Sequence, residues 1–545
     1  VFSSQLMGNI SISWEENTVT HKNNFFLCVT VFSTVLREMG NISISWEENT
    51  VTHKKKLFFV LPATAAYAIL NLVLLLHHEA WRDESQAWLI ARNLSITGVW
   101  KQLSYEGHPF LWYYLIMPFA KAGLPFSVIG FISLAVMIVA AYLLLRFSPF
   151  HPVLDLIILF SPLGTYYLPV IARSYCLCAL FTVAVAVLYR SRSRRAVLYC
   201  AMIALMVQTH LIMLGFAGAL SVAFLIERIA DFWRDRELRG KKAIRHLAPL
   251  LLPFISFIVF LLEFMNVRSS TAYHFELKGI VDFLRSIRDT TLSLFGFMTG
   301  LDIVWVWTAI ILIAFAMIYA LFVLGEAGPV FITLFAFFEQ IFIYAMIILY
   351  SVQRALIFVF IFVWFVYVTV EKIKEKNALR PEAEQTKPTG LLHYQLLLAM
   401  ICFMLLYGLG NAVKADYQDE YSDAENAAFE IAYIVQGETV VTGEPARTSP
   451  LSAYTPDQKY WSPQIGDYVT FTPLDKEWNK PYNFLELEDA VKKAGIGDKD
   501  GFYLLIPESV GMSDYDIWKV SWEKLYETKA GTITDEKYTL YRVKY

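Results

Sequence analysis

Long apolar segments recur along this chain, and they constrain its fold more than any other feature. An α-helix needs about 20 apolar residues to cross the hydrocarbon core of a bilayer. The first such segment covers residues 57–76, and further segments follow as far as Val413. Hydrophobic residues make up 56% of the sequence and charged residues only 17%, so we predict a polytopic membrane protein.

Basic residues in the connections set the predicted orientation of these segments. Lysines at 54–56 precede the first segment, so the positive-inside rule places the N-terminus in the cytoplasm. We interpret 108–124, which is short, interrupted by proline and rich in Trp and Tyr, as a helix at the membrane surface. The basic connections 190–195, 227–246 and 371–390 then all fall in the cytoplasm. The other predicted spans are 126–145, 152–169, 174–189, 196–210, 212–226, 247–265, 303–324, 329–350, 354–370 and 391–412.

This topology has about eleven spans and divides the chain into three predicted regions. Residues 1–53 contain a duplication, because the sequence of 1–22 returns in 31–54. Two copies cannot form a solenoid, so we interpret this region as a disordered upstream extension or a cloning artefact, with a regulatory module as the alternative. Residues 54–413 are the predicted transmembrane domain, and 414–545 are a predicted extracytoplasmic domain.

The C-terminal region reads as a small α/β domain. Ala and Ile residues between 424 and 434 recur at helical spacing, and a second helix is predicted over 485–494. Runs typical of strands are GETVVTG, DYVTFT, GFYLLIP and KYTLYRVKY. The region has no glycine-rich phosphate loop and no nucleophile elbow, which favours a structural or substrate-recruiting role over catalysis.

Charge and cysteine content exclude two classes of function. The formal net charge is −3, so the chain lacks the basic excess that a nucleic-acid partner requires. Its five cysteines show no metal-ligand spacing with histidine, so neither a disulfide framework nor a zinc site is predicted.

Two adjacent acids, Asp83 and Glu84, follow the first apolar segment in WRDESQAW. A carboxylate at a bilayer boundary is costly to desolvate unless it is paired, protonated or faces a wet cavity. Helical spacing over 82–95 places both acids opposite an apolar face, which predicts an amphipathic helix lying along the interface. We assign both to a catalytic site, with Asp83 as base and Glu84 orienting Arg82 or a neighbouring polar group. The alternative is that both acids only solvate the helix.

Further polar residues near the predicted exterior ends of spans are candidates for substrate binding. Arg173 in IARSY and Arg354 in SVQRAL offer the guanidinium fork that suits a phosphate, with snorkelling to lipid headgroups as the alternative. His108 in GHPF can bind a phosphate or an acceptor, or can simply precede a helix that starts with proline. Tyr105 in the same stretch and His210 in QTHL complete the set, although a lone His such as His210 is more often a packing residue.

The order of these motifs resembles the GT-C superfamily of integral-membrane glycosyltransferases, in particular its protein mannosyltransferase and aminoarabinose transferase branch. The resemblance covers residues 57–412. It rests on the acid pair in the first exterior loop, a G-H-P-x-L-x-Y helix, the IARSY element and a later THL. The residues that match are Asp83, Glu84, Gly107, His108, Pro109, Leu111, Tyr113, Arg173, Tyr175 and His210.

The resemblance implies a mainly α GT-C fold with juxtamembrane helices in the first exterior loop. It also implies a polyprenyl-phosphate sugar as donor and a lipid, glycan or protein as acceptor, at a prokaryotic cell membrane. In this family the first-loop Asp is the catalytic base or orients the acceptor, a role that carries to Asp83, with Glu84, His108, Arg173 and Tyr175 as site neighbours. The chain has HPF where the family usually shows HPP, and IARSY has no acid. A second catalytic acid and a divalent metal are therefore left open.

Two other classes of function remain as alternatives. A transporter or flippase of a lipid-linked glycan usually has two related halves with interrupted helices, and the sequence shows no such symmetry. A membrane-tethered binding protein would use residues 414–545 alone.

Overall fold

The computed structural model of the protein describes residues 52–106, 108–161, 163–235, 239–264, 279–299, 303–322, 324–346, 352–378, 421–472, 484–507, 522–528, 534 and 536–544. The predictions for residues 1–51 and for a span at 391–412 lie outside this part of the chain.

Helices account for the first part of the described chain. They are α1 (Thr52–His77), α2 (Arg82–Asn93), α3 (Ile96–Glu106), α4 (Leu111–Lys121), α5 (Val128–Phe147), α6 (Pro152–Leu159), α7 (Tyr175–Leu188), α8 (Ala196–Val207), α9 (Leu214–Arg234), α10 (Lys241–Leu247), α11 (Leu251–Phe264), α12 (Ile280–Thr299), α13 (Ile303–Phe322), α14 (Ala327–Met346) and α15 (Val352–Ala378).

Several of these helices are built to cross a membrane. Within the described ranges, six are long and apolar enough, and they lie at Leu57–His77, Val128–Phe147, Leu211–Arg234, Lys241–Phe264, Ala327–Met346 and Leu356–Asn377. The chain is therefore a multi-pass membrane protein. Helix α15 lies at the centre of the bundle, where Ile357, Ile361 and Trp364 are fully buried. The count of eleven spans stays a prediction.

The span predicted over 152–169 is broken in the structure. Helix α6 ends at Leu159, and one π-helical turn, Leu163–Tyr167, follows. A Cβ added at Gly164 would lie 2.3 Å from the Leu159 carbonyl oxygen, so the turn requires glycine. The hydroxyl of Tyr67 in α1 donates a hydrogen bond to the Gly164 carbonyl oxygen at 2.5 Å. Residues 168–174 then connect this turn to α7 without a regular helix or strand.

Three short helices follow the first span, where two were predicted. Helices α2 and α4 lie within the predicted 82–95 and 108–124. The stretch between them, for which we predict no element, forms α3. Val99 and Leu103 are four residues apart and fully buried, so this segment has the apolar spacing of a helix.

The polar side of helix α2 is largely covered by protein. Glu84 and Ser85 are buried together with the apolar residues of the helix, because a domain from the C-terminal part of the chain covers its other side. Both faces of α2 therefore contact protein. The alternative that both acids only solvate the helix is therefore wrong for Glu84, which is 1% exposed.

The covering domain, residues 421–472, 484–507, 522–528, 534 and 536–544, contains a six-stranded mixed sheet, here called the sheet domain. Its strands are β1 (Val440–Thr442), β2 (Tyr460–Ser462), β3 (Asp467–Tyr468), β4 (Gly501–Pro507), β5 (Trp522–Glu527) and β6 (Tyr538–Lys544), in the order β3-β2-β1-β4-β6-β5. Its helices are α16 (Ala424–Val435), α17 (Pro445–Tyr454) and α18 (Phe484–Lys493).

Strand β1 is parallel to β2 and β4, and β6 pairs antiparallel with β4 and β5. The register of the central antiparallel pair runs from Gly501 opposite Lys544 to Pro507 opposite Tyr538. The predicted architecture, membrane helices followed by a small α/β domain, is confirmed.

Helix α17 holds the sheet domain on α2. Ala80 donates its N–H to the Tyr454 hydroxyl at 2.8 Å, and Arg92 Nη2 donates to the Ser452 carbonyl oxygen at 3.0 Å. Helix α17 follows β1 directly, so the carboxyl end of that parallel strand is turned toward the juxtamembrane helices. Ligands of α/β sheets bind at this edge, which places a cleft between the two parts of the molecule.

Candidate functional site

A cavity of about 300 Å³ lies where α2, α3 and α4 meet the sheet domain. Helix α2 contributes four residues to its wall, and the segment before α7 contributes Arg173 and Ser174. The sheet domain closes one side with Ala446 of α17 and Thr472. The lining residues are Arg82, Asp83, Gln86, Ala87, Glu106, His108, Trp112, Tyr113, Arg173, Ser174, Ala446 and Thr472.

An ion pair between Asp83 and Arg173 lies in this cavity. Asp83 Oδ2 is 2.7 Å from Arg173 Nη1, and the Asp83 side chain keeps 34% of its surface exposed against 16% for Arg173. Burial is the largest single influence on the pKa of Arg173 and lowers it, but Asp83 and the weaker effects of its other acidic neighbours together outweigh burial and raise the pKa above its ordinary value. The arginine is therefore a permanent cation, and the exposed part of Asp83 faces the cavity.

Glu84 points away from the cavity and supports the backbone behind it. The side chain is 1% exposed, and its Oε1 accepts the Ala172 N–H at 2.6 Å. Its Oε2 accepts the Trp81 N–H at 3.1 Å, the reach-back contact typical of an acid at the third position of a helix. His78 Nε2 lies 3.2 Å from the same oxygen. Glu84 thus fixes the residue immediately before Arg173.

Aromatic rings connect Arg173 to His108. The guanidinium lies 5.4 Å from the centroid of the Tyr175 ring, and Tyr175 stacks on His210 at 4.9 Å. His210 in turn contacts His108, with 4.7 Å between ring centroids. His210 Nδ1 accepts the Ile212 N–H at 3.2 Å, which caps the short helical turn that follows. Four residues predicted from three separate motifs thus form one contiguous row.

Glu106 is a cavity carboxyl that our reading of the sequence missed. Its Oε1 accepts hydrogen bonds from Gln86 Nε2 and Gln102 Nε2, each at 2.9 Å. Burial is the main cause that raises its pKa to about 7, and the negative charge of Asp83 acts in the same direction. The residue precedes the GHPF motif directly, so its position next to a recognised motif was the available signal.

The sheet domain also supplies a buried carboxyl beside α2. Glu536 is fully buried, its Oε1 accepts the Arg82 N–H at 2.9 Å, and its Oε2 lies 2.7 Å from the Ser422 hydroxyl. Burial raises the pKa of Glu536 to about 7. An acceptor at the first turn of α2 also complements the partial positive charge of the helix N-terminus. No sequence motif indicated this residue.

Not every predicted residue lies at the cavity. Arg82 and His108 line it, whereas Tyr105 is half-buried on α3 and is not among the lining residues. Tyr175 and His210 are buried in the row behind it. Arg354 lies in the first turn of α15, and its side chain is outside the described residues.

The divalent metal that was left open has no obvious set of ligands in the described part of the chain. There, no three His, Cys, Asp or Glu side chains come together as a metal ion would require. Asp83, Glu106 and His108 line the cavity, but two of them already have partners in Arg173 and the two glutamine amides.

Comparison with solved structures gives an informative likeness. No protein-family model matches the chain, and no curated protein sequence matches it. Among solved structures, the chain is similar to ArnT from Cupriavidus metallidurans, determined in a crystal structure bound to undecaprenyl phosphate. The two share 12% sequence identity with a TM-score of 0.50, over 89% of this chain and 98% of that one. The likeness shows a shared fold, and the GT-C fold expected from the motifs is confirmed.

Proposed function

We propose that this chain, which has the fold of ArnT, is a membrane glycosyltransferase. It would move a sugar from a polyprenyl-phosphate donor to a lipid, glycan or protein acceptor on the extracytoplasmic side of the cell membrane. The observation that supports this most is the Asp83–Arg173 ion pair, 2.7 Å long, in a cavity between membrane helices and the sheet domain. The neighbour of known structure was determined with undecaprenyl phosphate bound, which supports a lipid phosphate as part of the donor.

In the proposed reaction Asp83 is the base. Its Oδ2 is held by Arg173, and within the described residues no hydrogen bond reaches Oδ1, which can therefore approach an acceptor. The acceptor hydroxyl or amine loses its proton to Asp83 and attacks the anomeric carbon. The bond from that carbon to the phosphate oxygen breaks, the phosphate leaves with the electron pair, and the configuration inverts.

Arg173 balances charge on both sides of this reaction. Its guanidinium contacts Asp83 in the resting site, and a guanidinium is the planar group of N–H donors that suits a phosphate. As the phosphate leaves, negative charge grows on the lipid product while Asp83 loses its charge to the acceptor proton. A cation between the two groups is stabilising in both states. Arg82, on the wall of the same cavity, would add a second positive charge.

The test begins by identifying the donor. Mass spectrometry of lipids that co-purify with the protein should reveal a polyprenyl phosphate or its glycosylated form. Purified protein in lipid vesicles is then given polyprenyl-phosphate hexoses and pentoses together with candidate lipid, glycan and protein acceptors, and release of polyprenyl phosphate is measured. Asp83→Asn keeps the side-chain shape and removes the base, so release should fall by about a hundredfold or more.

The matched control is Asp467→Asn, the same change at an exposed strand residue of the sheet domain. It should leave release unchanged. Full activity in Asp83→Asn would contradict the assignment of the base. Lipid movement across the vesicle without any change in the lipid would instead indicate a transporter.

A further inference from the structure

A second carboxyl, that of Glu106, shares the cavity with Asp83, and the two side chains have different kinds of partner. Asp83 has a cationic partner in Arg173, whereas the hydrogen bonds to Glu106 come from the neutral amides of Gln86 and Gln102. Glu106 is half-buried, an ionised carboxylate at such a site is costly without a cationic partner, and a second negative charge beside Asp83 adds to that cost. The two carboxyls are therefore driven toward different protonation states, as in sites where paired acids take separate roles.

The orientation of the Gln86 amide is fixed by the sheet domain. Gln86 Oε1 accepts the Thr472 N–H at 2.8 Å, and a backbone N–H can only donate. The NH₂ group of Gln86 must therefore lie on the other side, where Nε2 donates to the Thr472 carbonyl oxygen and to Glu106 Oε1. Thr472 thus sets the amide that faces Glu106.

Two amide donors on one oxygen determine where a proton on Glu106 can lie. Oε1 receives hydrogen bonds from both glutamines, and the carbonyl oxygen of a neutral acid is a better acceptor than its hydroxyl oxygen. This arrangement favours the proton on Oε2, to which no described residue makes a hydrogen bond. Because Glu106 lines the cavity, this O–H is available to a ligand there.

We propose that Glu106 binds the donor as a neutral carboxylic acid, donating a hydrogen bond from Oε2 to an oxygen of the lipid phosphate. This rests on the proposed function, since it takes the polyprenyl phosphate as given. An ionised Glu106 would repel a phosphate, whereas the neutral acid offers a donor beside the cations Arg82 and Arg173. Phosphate binding further disfavours ionisation of Glu106, so the bound lipid and the proton stabilise each other.

The consequence is a donor site that weakens as the pH rises. The pKa of Glu106 is about 7, so its neutral fraction falls about tenfold between pH 6 and pH 8. The other titratable or charged groups on the cavity wall are Arg82, Asp83, His108, Tyr113 and Arg173. The lipid phosphate also titrates in this range. Because the wild type and a variant changed only at Glu106 share all of these groups, comparing them isolates the contribution of Glu106 to the pH dependence.

The test measures binding of a polyprenyl phosphate without sugar to the full-length protein, from pH 6 to pH 8. In Glu106→Gln the amide places an NH₂ where the proton was and stays a donor at every pH. The ratio of the wild-type Kd to that of Glu106→Gln should rise about tenfold across this range. A constant or falling ratio overturns the proposal. Glu425→Gln, at a half-buried acid on α16 away from the cavity, is the matched control and should follow the wild type.

A second variant keeps Glu106 and moves its titration. Gln102 makes its described side-chain hydrogen bond only to Glu106, and that bond lowers the pKa of the acid. Gln102→Met should therefore shift the midpoint of the Kd profile to higher pH, and an unmoved midpoint contradicts the proposal. Binding with the same pH dependence in all variants overturns the role of Glu106 and leaves the proposed function intact. Absence of binding at every pH overturns both.

Discussion

Arg173 Nη1 lies 2.7 Å from Asp83 Oδ2, although the two residues belong to separate elements of the chain. Asp83 is in the first turn of α2, and Arg173 belongs to the irregular segment before α7. Glu84 brings them together, because the residue next to Asp83 in sequence binds the backbone of the residue next to Arg173. The two adjacent acids thus have different roles, because Asp83 faces the cavity and Glu84 holds the backbone beside Arg173 in place.

Arg173→Lys should weaken both the protein and its activity. A lysine ammonium can restore the charge but lacks the planar fork, and it loses the face of the Tyr175 ring. We expect a loss of about 2 kcal/mol in the free energy of unfolding, because one hydrogen bond between charged groups is disturbed. Release of polyprenyl phosphate should fall at least tenfold. Thermal denaturation and the release assay measure the two effects, and Arg285→Lys on the exposed face of α12 is the control.

Glu84→Gln separates support from catalysis. The glutamine oxygen can accept from Ala172 or from Trp81, but its NH₂ group then faces the other N–H donor. Leaving one buried donor unsatisfied costs about 1–3 kcal/mol of stability. Because Arg173 is displaced and Asp83 is retained, we expect a higher KM for the donor and a kcat within about tenfold of wild type. A loss of kcat equal to that of Asp83→Asn would instead make Glu84 a catalytic residue.

His210→Phe tests the row of rings behind the cavity. The phenyl ring can still stack between Tyr175 and His108, but it has no Nδ1 to accept the Ile212 N–H. Loss of this cap should cost about 1 kcal/mol, seen as a lower thermal midpoint. His210→Ala removes the stack as well and should lower stability further. Equal stability of the two variants would show that the stacking contributes nothing.

Glu536→Gln should change how stability depends on pH. Burial raises the pKa of Glu536 in the folded protein to about 7, above its ordinary value of 4.5. The folded state therefore binds the proton more tightly, and the stability linked to this group is complete below pH 4.5 and declines as the pH rises toward 7.

The decline amounts to at most about 3 kcal/mol. Glutamine cannot ionise, so the difference in thermal midpoint between variant and wild type should grow in favour of the variant from pH 5 to pH 8. A difference that is the same at every pH would contradict this linkage. Glu438→Gln, at an exposed acid of the same domain, is the control.

Local patterns in the sequence predicted the elements and several site residues well. The predicted spans 57–76 and 126–145 lie within two residues of the apolar stretches Leu57–His77 and Val128–Phe147, because a segment that crosses lipid must be apolar along its length. The strand-like run GFYLLIP at 501–507 matches β4 residue for residue. Separate short motifs also supplied Asp83 and Arg173, which the fold brings into one ion pair.

What the sequence did not reveal depends on contacts between distant segments. Nothing in the pattern around Glu84 indicates that its carboxylate is covered by protein on every side, since the covering helix α17 follows more than 300 residues later. Glu106 and Glu536 look like ordinary surface acids in sequence. Their raised pKa values arise from burial, which only the assembled structure establishes.

Thr472 and Glu536 reach back to α2 from near the far end of the chain, and this has a consequence for biosynthesis. The membrane helices can insert one after another as the ribosome delivers them, yet Thr472 of the cavity wall and the contact of Glu536 with α2 are added only after those late residues have been translated. A nascent chain stalled before these residues would contain Asp83 and Arg173 but would lack the contacts that Thr472 and Glu536 make with α2. Premature release of such a chain would leave the membrane helices with a cavity that the sheet domain does not fully enclose.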